Sequence, residues 1–222
     1  MDALSELLPL TVGMAISPLP IVAIVAIVLA PRGRASAAVY VATFTAVSFA
    51  LLLLGAAGAS RASSAAGTGK VTLILSALIA IGFAVFAVLS WRSRPRDGHP
   101  VKTPAWLAAI DAITPARALG LGLMMAAANS KNLPLALKGG AIIADAHLSI
   151  VLSAILCLGV AIGGSLPLIV PAAVALSRSP AVTRSLQRAK TEMIAYNAQM
   201  MTVVFAILAA NEAAAVLRHL PL

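Results

Sequence analysis

Charged and aromatic residues are scarce in this sequence. Only 10% of the 222 residues are Asp, Glu, Lys or Arg and 4% are aromatic, while 61% are hydrophobic and the mean hydropathy is +1.01. A soluble domain usually carries about 25% charged residues. The composition therefore predicts an integral membrane protein. Continuous apolar runs without aromatic girdles favour a helical membrane protein over a β-barrel.

Groups that carry catalysis or bind metals are also scarce. The single cysteine, Cys157, excludes an internal disulfide framework. Asp145 and His147 are too few ligands to indicate a metal site, and a solvated turn explains them better. Paired carboxylates, a His-rich metal motif and a nucleophile elbow are all missing. We therefore expect no enzyme activity, no cofactor and no metal.

The first apolar run is interrupted where a membrane helix should be continuous. Residues 13–34 read GMAISPLPIVAIVAIVLAPRGR and contain Ser17, Pro18 and Pro20. Proline lacks a backbone N–H, so two prolines here leave backbone carbonyls free at membrane depth. A polar group must then satisfy those carbonyls. The alternative is a simple kink whose carbonyls are satisfied by neighbouring helices.

A second interruption, Asn129-Ser130-Lys131-Asn132-Leu133-Pro134, lies half a chain later. We predict that the two interruptions face each other and form the site, with Asn129 and Asn132 as donors and acceptors. Lys131 is the sharpest candidate, because an ammonium near the centre of a membrane helix costs about 2.5 to 3.5 kcal/mol. Such a residue is typical of a transport pathway. The alternative is that Lys131 lies near an interface and extends into the headgroups.

Six membrane helices are predicted, and they divide into two halves of three. Residues 1–92 form the first half, 93–117 a basic linker with an interfacial segment, and 118–222 the second half. Three helices per half place the halves in opposite orientations, which is the inverted repeat of many transporters. Trp91 suits a headgroup-level anchor. The predicted helices cover 7–30, 35–59, 71–91, 118–144, 148–176 and 193–217, with the first and fourth broken, the second half of the fifth irregular, and 177–190 as a loop.

The distribution of basic residues predicts the orientation. The positive-inside rule places loops rich in Lys and Arg in the cytoplasm, so both termini should lie outside, in a protein of the inner (plasma) membrane. The net charge of +9 is then explained by basic cytoplasmic loops, and nucleic acid is not expected as a partner. The loops after helices one, three and five hold Arg32, Arg34, Arg92, Arg94, Arg96, Lys102, Arg117, Arg178, Arg184, Arg188 and Lys190, whereas the other side holds Arg61, Lys70, Lys138 and Arg218.

Several of these residues also resemble a known family. The proline-broken first helix ending in PRGR, the lead-in Pro104-x-Trp106 and Thr114-Pro115, and the motif at 129–132 are similar to the LysE-type transporter superfamily. Within it, the chain resembles the actinobacterial glycopeptidolipid- and sulfolipid-addressing proteins, the Gap or Sap family. That family usually reads Asn-Pro-Lys-Asn where this chain has Asn-Ser-Lys-Asn, and Pro134 is the nearest proline. The resemblance implies a protein that assists export of envelope glycolipids.

Two other functional classes remain open. One is an exporter of a small, amino-acid-like solute, and the other is a non-transporting assembly factor of an envelope lipid synthesis complex. A cation exporter is disfavoured, because Glu192 and Glu212 fall near predicted helix ends while the midplane candidate is a lysine. Asp111 is either a coupling group or a structural partner of Arg117.

Thr43 either lines the pathway or bonds to the preceding turn. Expected partners are membrane lipids, the glycolipid or small-molecule substrate, and lipid-synthesis or export machinery. Small residues on several helices are compatible with a homodimer.

Overall fold

The protein is built from helices whose apolar surfaces extend around its outside. A computed structural model describes residues 3–31, 33–62, 68–95, 107, 109–177 and 179–219. Within these residues the chain forms α1 Ala3–Ala15, α2 Pro18–Leu29, α3 Gly33–Ala62, α4 Thr68–Arg92, α5 Pro115–Ala127, α6 Asn132–Asp145, α7 Ile150–Val174, α8 Pro180–Ala195 and α9 Asn197–His219, with 3-10 turns at Ala109–Ala112 and Ala175–Ser177.

Both predicted interruptions are real breaks in the helices. The first apolar run divides into α1 and α2, which meet at an angle of 53°. The predicted fourth helix divides into α5 and α6, separated by residues 128–131. Each break falls at the polar or proline-containing segment that the sequence singles out.

The described helices identify a membrane protein. Three of them, at Gly33–Ser60, Ile150–Ser177 and Asn197–Leu217, are long and apolar enough to cross a bilayer, or four if the bent pair α1–α2 counts as one span. Ser76–Arg92 of α4 is a shorter apolar helix. Large side chains on the outer faces are exposed, including Ile150 at 89% and Ile207 at 63%. Such surfaces suit contact with lipid rather than water.

Trp91 at the end of α4 fits a position at the membrane interface. The residue is 49% exposed, and the guanidinium carbon of Arg94 lies 3.8 Å from the ring centroid. A cation stacked on an exposed indole suits the headgroup region, where an apolar face and a polar edge are both accommodated.

Two sequence-based expectations for the second half of the chain are wrong. The predicted loop at 177–190 is mostly helix α8, whose charged residues conceal its periodicity: Leu186, Met193 and Ile194 pack against the core, while Arg184 and Arg188 are exposed. The predicted irregular part of the fifth helix is regular, because α7 continues through Pro167 and Pro171.

Gly163 and Gly164 allow α7 to pack closely against α1, and the backbone at both residues is regular helix. A Cβ at Gly163 would lie 2.7 Å from the Thr11 methyl group, and one at Gly164 would lie 3.1 Å from Met14. Larger residues at these two positions would push α1 away from α7.

The core consists of two separate apolar clusters. The first holds Leu7, Leu10 and Met14 of α1, and the second holds residues 22–27 of α2. The two halves of the other broken helix divide in the same way, since Ala118 and Ala126 of α5 belong to the second cluster and 135, 136 and 143 of α6 to the first. Both breaks therefore lie at one level, between the clusters.

Helices α3 and α6 cross at very short distance through glycine. A Cβ built at Gly140 would collide with the carbonyl oxygen of Leu52 and would lie 2.6 Å from the backbone nitrogen of Ala56. Gly55 makes the reciprocal approach to Leu137. The position of α6, and thus of the second break, depends on this crossing.

We predict that Gly140→Ala destabilises the protein by about 1–3 kcal/mol, because the methyl group has no room and the helices must separate. Thermal unfolding in detergent, followed by size-exclusion fluorescence, measures the effect. Gly159→Ala is the matched control, since a Cβ at Gly159 meets nothing within 4 Å. Equal melting temperatures for the two variants would contradict the close crossing.

Candidate functional site

Lys131 joins the two broken helices. Its ammonium group is buried, with the residue 0% exposed, and donates hydrogen bonds to three oxygens. The acceptors are the backbone carbonyl of Gly13 at 2.5 Å, that of Met14 at 3.2 Å, and Oδ1 of Asn132 at 2.9 Å. All three protons of the ammonium are therefore used. In this state the lysine does not extend to the membrane surface.

The carbonyls that Lys131 reaches are those that the break releases. In an unbroken helix the Met14 carbonyl would accept from residue 18, which is proline and has no N–H. The Gly13 carbonyl would accept from the N–H of Ser17, but that N–H bonds instead to Ala15 at 2.9 Å. The ammonium thus satisfies two carbonyls at the end of α1 that would otherwise be buried without partners.

Asn129 organises the other side of the junction. Its Nδ2 donates to Oγ of Ser17 at 3.3 Å, which links the two breaks directly. Its Oδ1 accepts from the N–H of Lys131 at 3.3 Å, and its carbonyl accepts from the N–H groups of Asn132 and Leu133. Pro134 comes next, in the first turn of α6, where a missing N–H costs little. The start of α6 is therefore satisfied by Asn129.

Pro18 and Pro20 begin α2 rather than interrupt it. Pro18 is the first residue of the helix, and both prolines are buried. The Pro20 carbonyl also accepts a hydrogen bond from the hydroxyl of Tyr40 on α3, at 3.2 Å. Tyr40 is 0% exposed, so this bond ties the first turn of α2 to α3 inside the protein.

A layer of buried polar residues separates the two apolar clusters. On each of the helices involved, the polar residue lies between members of the first and second cluster along the chain. Ser48, for example, lies between Phe44 and Leu52 of α3, and Ser165 between Ala161 and Leu168 of α7. The layer contains Ser17, Ser48, Lys131, Asn132 and Ser165, each at most 3% exposed.

Two other predicted residues take less central positions. Thr43 is half-buried on α3 and packs close to α5. A Cβ built on Gly122 of α5 would lie 3.1 Å from the Cβ of Thr43. Asp111 belongs to the 3-10 turn before α5, and its side chain lies outside the described part of the structure. The cap of α5 is Thr114, whose hydroxyl accepts from the N–H of Arg117 at 3.4 Å.

Lys131 has no acidic partner among the side chains that the structure describes. Among the described side chains, the ion pair found is Lys138–Glu212, and the described contacts of Lys131 are all with neutral oxygens. Nδ2 of Asn132, whose Oδ1 accepts from Lys131, is buried without a partner in the described part of the chain. An unused donor beside this ammonium suits an anionic group of a ligand.

Sequence reasoning missed two features of this region. Ser165 gives little signal, because a serine that bonds its own helix, here to the Ala161 carbonyl at 2.7 Å, is common. Glu212 was placed near a helix end, yet it lies within α9 and is 1% exposed. A glutamate within a predicted membrane helix is the available signal, and its partner Lys138 lies toward the end of the predicted fourth helix.

A comparison with protein families identifies the chain. The sequence model described as "Sap, sulfolipid-1-addressing protein" matches residues 7–216, almost the full length. The chain belongs to this family. Both breaks, the Lys131 junction and all of the buried polar layer fall inside the matched region. No curated protein and no solved structure matches the chain significantly. Membership in the Sap family indicates a role in addressing or exporting a glycolipid.

We predict that Tyr40→Phe lowers stability by about 0.5–1.5 kcal/mol, since it removes a buried hydrogen bond to the Pro20 carbonyl. Tyr196→Phe is the matched control, because Tyr196 is 54% exposed. Thermal unfolding of both variants in detergent tests the difference. A Tyr196 variant that is as destabilised as the Tyr40 variant would show that the bond does not support the break.

Proposed function

We propose that this Sap-family protein assists export of an envelope glycolipid, or its precursor, across the inner membrane by alternating access around Lys131. The observation that carries the proposal is the Lys131 ammonium, buried between two broken helices, whose described hydrogen bonds all go to neutral oxygens. Secondary transporters commonly place their substrate sites at such breaks, near the membrane midplane. Family membership supports a lipid substrate.

The chemistry of the site suggests how a substrate is held. An anionic oxygen of a headgroup forms a stronger, charge-assisted bond to an ammonium than a neutral carbonyl does. A substrate oxygen that displaces the Gly13 or Met14 carbonyl would free the end of α1 from α6. Because Lys131 is the main polar link between the breaks, substrate binding would then release the two halves to move against each other.

The proposed architecture has six spans in two inverted halves. The spans are α1–α2, α3 and α4, followed by α5–α6, α7 and α9, with α8 on the cytoplasmic side. Two arrangements support this assignment. The broken helix comes first in each half, and the last helices of the halves, α4 and α9, pack along each other. Equivalent positions in the two halves are what an inverted repeat requires.

A reporter experiment tests the orientation. We predict that alkaline phosphatase is active when fused after residue 222 and inactive when fused after residue 95, because the basic linker should remain in the cytoplasm. A fluorescent protein that folds only in the cytoplasm should give the opposite pattern. Active phosphatase after residue 95 would overturn the six-span orientation.

The transport role is tested by lipid analysis of a deletion strain and its complemented derivatives. We predict that wild-type protein restores one glycolipid to the surface-extractable fraction, whereas Lys131→Met leaves it inside the cell. Methionine keeps the length of the side chain but removes the charge that the mechanism needs. Mass spectrometry of surface lipids, total lipids and spent medium measures the distribution.

Lys190→Met is the matched control, since it removes a lysine from α8, the helix on the cytoplasmic side. The protein with this substitution should transport normally. Immunoblots of membrane fractions establish that all variants are present at equal amounts. If a small solute, and no glycolipid, accumulates in the deletion strain, the protein is a solute exporter. If Lys131→Met restores the surface lipid fully, the mechanism is wrong and an assembly role gains support.

A further inference from the structure

A partly buried ion pair joins α6 to α9 away from the Lys131 site. Both carboxylate oxygens of Glu212 lie 2.7 Å from Nζ of Lys138. Glu212 is 1% exposed, whereas the Lys138 side chain is 24% exposed. Neither residue takes part in the proposed substrate contacts. A charged pair in the apolar part of a membrane protein is costly to bury and is usually functional.

The pair connects α6 to α9, two helices whose described residues make few close backbone approaches to each other. Helices α4 and α9 pack along each other over most of their length, with the rings of Phe83 and Phe86 5.9 and 5.3 Å from that of Phe205. Helix α6 instead packs on α3, and among the described residues α6 and α9 make hardly any close backbone approach. The ion pair is therefore a side-chain bridge between the α4–α9 helix pair and α6, the helix that begins next to Lys131.

The register of the helices places this ion pair about one helical turn from the site, toward the carboxyl ends of α6 and α9. Leu208 of α9 and Leu135 of α6 converge on Gly13, where a Cβ would lie 3.0 and 3.2 Å from their methyl groups. Gly13 is the residue whose carbonyl accepts from Lys131. Glu212 follows Leu208 by four positions and Lys138 follows Leu135 by three, so both charged residues lie about one helical turn beyond the leucines.

The same direction leads to the outer surface in the proposed orientation. It runs toward the carboxyl ends of α6 and α9 and the amino end of α1, which the positive-inside rule places outside the cytoplasm. The partial exposure of Lys138 agrees with a position between the buried leucines and that surface.

We propose that Lys138–Glu212 is the latch of an outer gate, which keeps Leu135 and Leu208 converged on Gly13 on the outer side of the site and opens when the α4–α9 pair moves away from α6. This inference rests on the proposed transport function. The latch differs from a purely structural ion pair because its loss opens a path to the site, which a labelling reaction detects. An inverted charge pair at the same positions restores the closure.

Cysteine accessibility of the site tests the latch. The background is Cys157→Ala, which removes the only native thiol, with Ser17→Cys as a near-isosteric reporter in the polar layer. Right-side-out and inside-out membrane vesicles are treated with a membrane-impermeant methanethiosulfonate reagent. We expect Glu212→Gln to raise the labelling rate from the outside by about tenfold, because the closed state loses its ion pair.

Glu212→Gln is preferred to removal of the lysine, because Lys138 is partly exposed whereas an unpaired Glu212 would be fully buried. The exchange Lys138→Glu with Glu212→Lys should return labelling to the level of the parent. Glu192→Gln on the exposed surface of α8 is the matched control and should change nothing. Equal outside labelling of Glu212→Gln and its parent, or a rise only from the cytoplasmic side, would overturn the latch.

Lipid export by the same variants, without the reporter cysteine, separates this inference from the function on which it rests. We expect Glu212→Gln to reduce surface glycolipid and the charge exchange to restore it. If labelling behaves as expected while no variant, Lys131→Met included, changes any exported lipid, the latch stands and the lipid function fails. If only Lys131→Met loses export and labelling never changes, the function stands and the latch is wrong.

Discussion

The structure depends on the satisfaction of backbone carbonyls where a helix stops inside an apolar protein. Pro18 removes the N–H that the Met14 carbonyl needs, and the turn at Ser17 takes away the donor of Gly13. No water is at hand in a bilayer core to replace them, so a side chain from elsewhere must supply donors. Lys131 does this with one ammonium. The geometry of the first break thus fixes where the second must lie.

This requirement explains the layered core. Because the two breaks meet, the buried polar residues collect at one level, and the apolar residues of α3, α7 and the two broken helices divide into a cluster on each side. Such a layer is held by directional hydrogen bonds, whereas the clusters are held by packing. The proposed alternating access would use this division, since a change in the polar contacts could shift one cluster relative to the other without repacking either.

The sequence predicts both breaks because prolines and polar residues within apolar runs are strong local signals. Pro18, Asn129 and Lys131 could be singled out on those grounds. The sequence does not predict helix α8, because its basic residues are typical of a cytoplasmic loop. It also predicts an irregular second half of α7, although prolines are tolerated in membrane helices when neighbours satisfy the backbone. The pairing of Glu212 with Lys138 depends on how distant helices pack, and no local pattern encodes it. Six spans and their orientation stay predictions.

Lys131 and Lys138 show why equal charges need not have equal roles. Lys138 has a carboxylate partner, so the pair is neutral and presents neither a cation site nor a free ammonium. Lys131 satisfies its hydrogen bonds with neutral oxygens, so its charge is left uncompensated by the described residues around it. In a medium of low dielectric that charge attracts an anionic group strongly. Within the proposed function, the pairing of Glu212 with Lys138 therefore argues against a cation as the substrate, and the Lys131 junction favours an anionic headgroup.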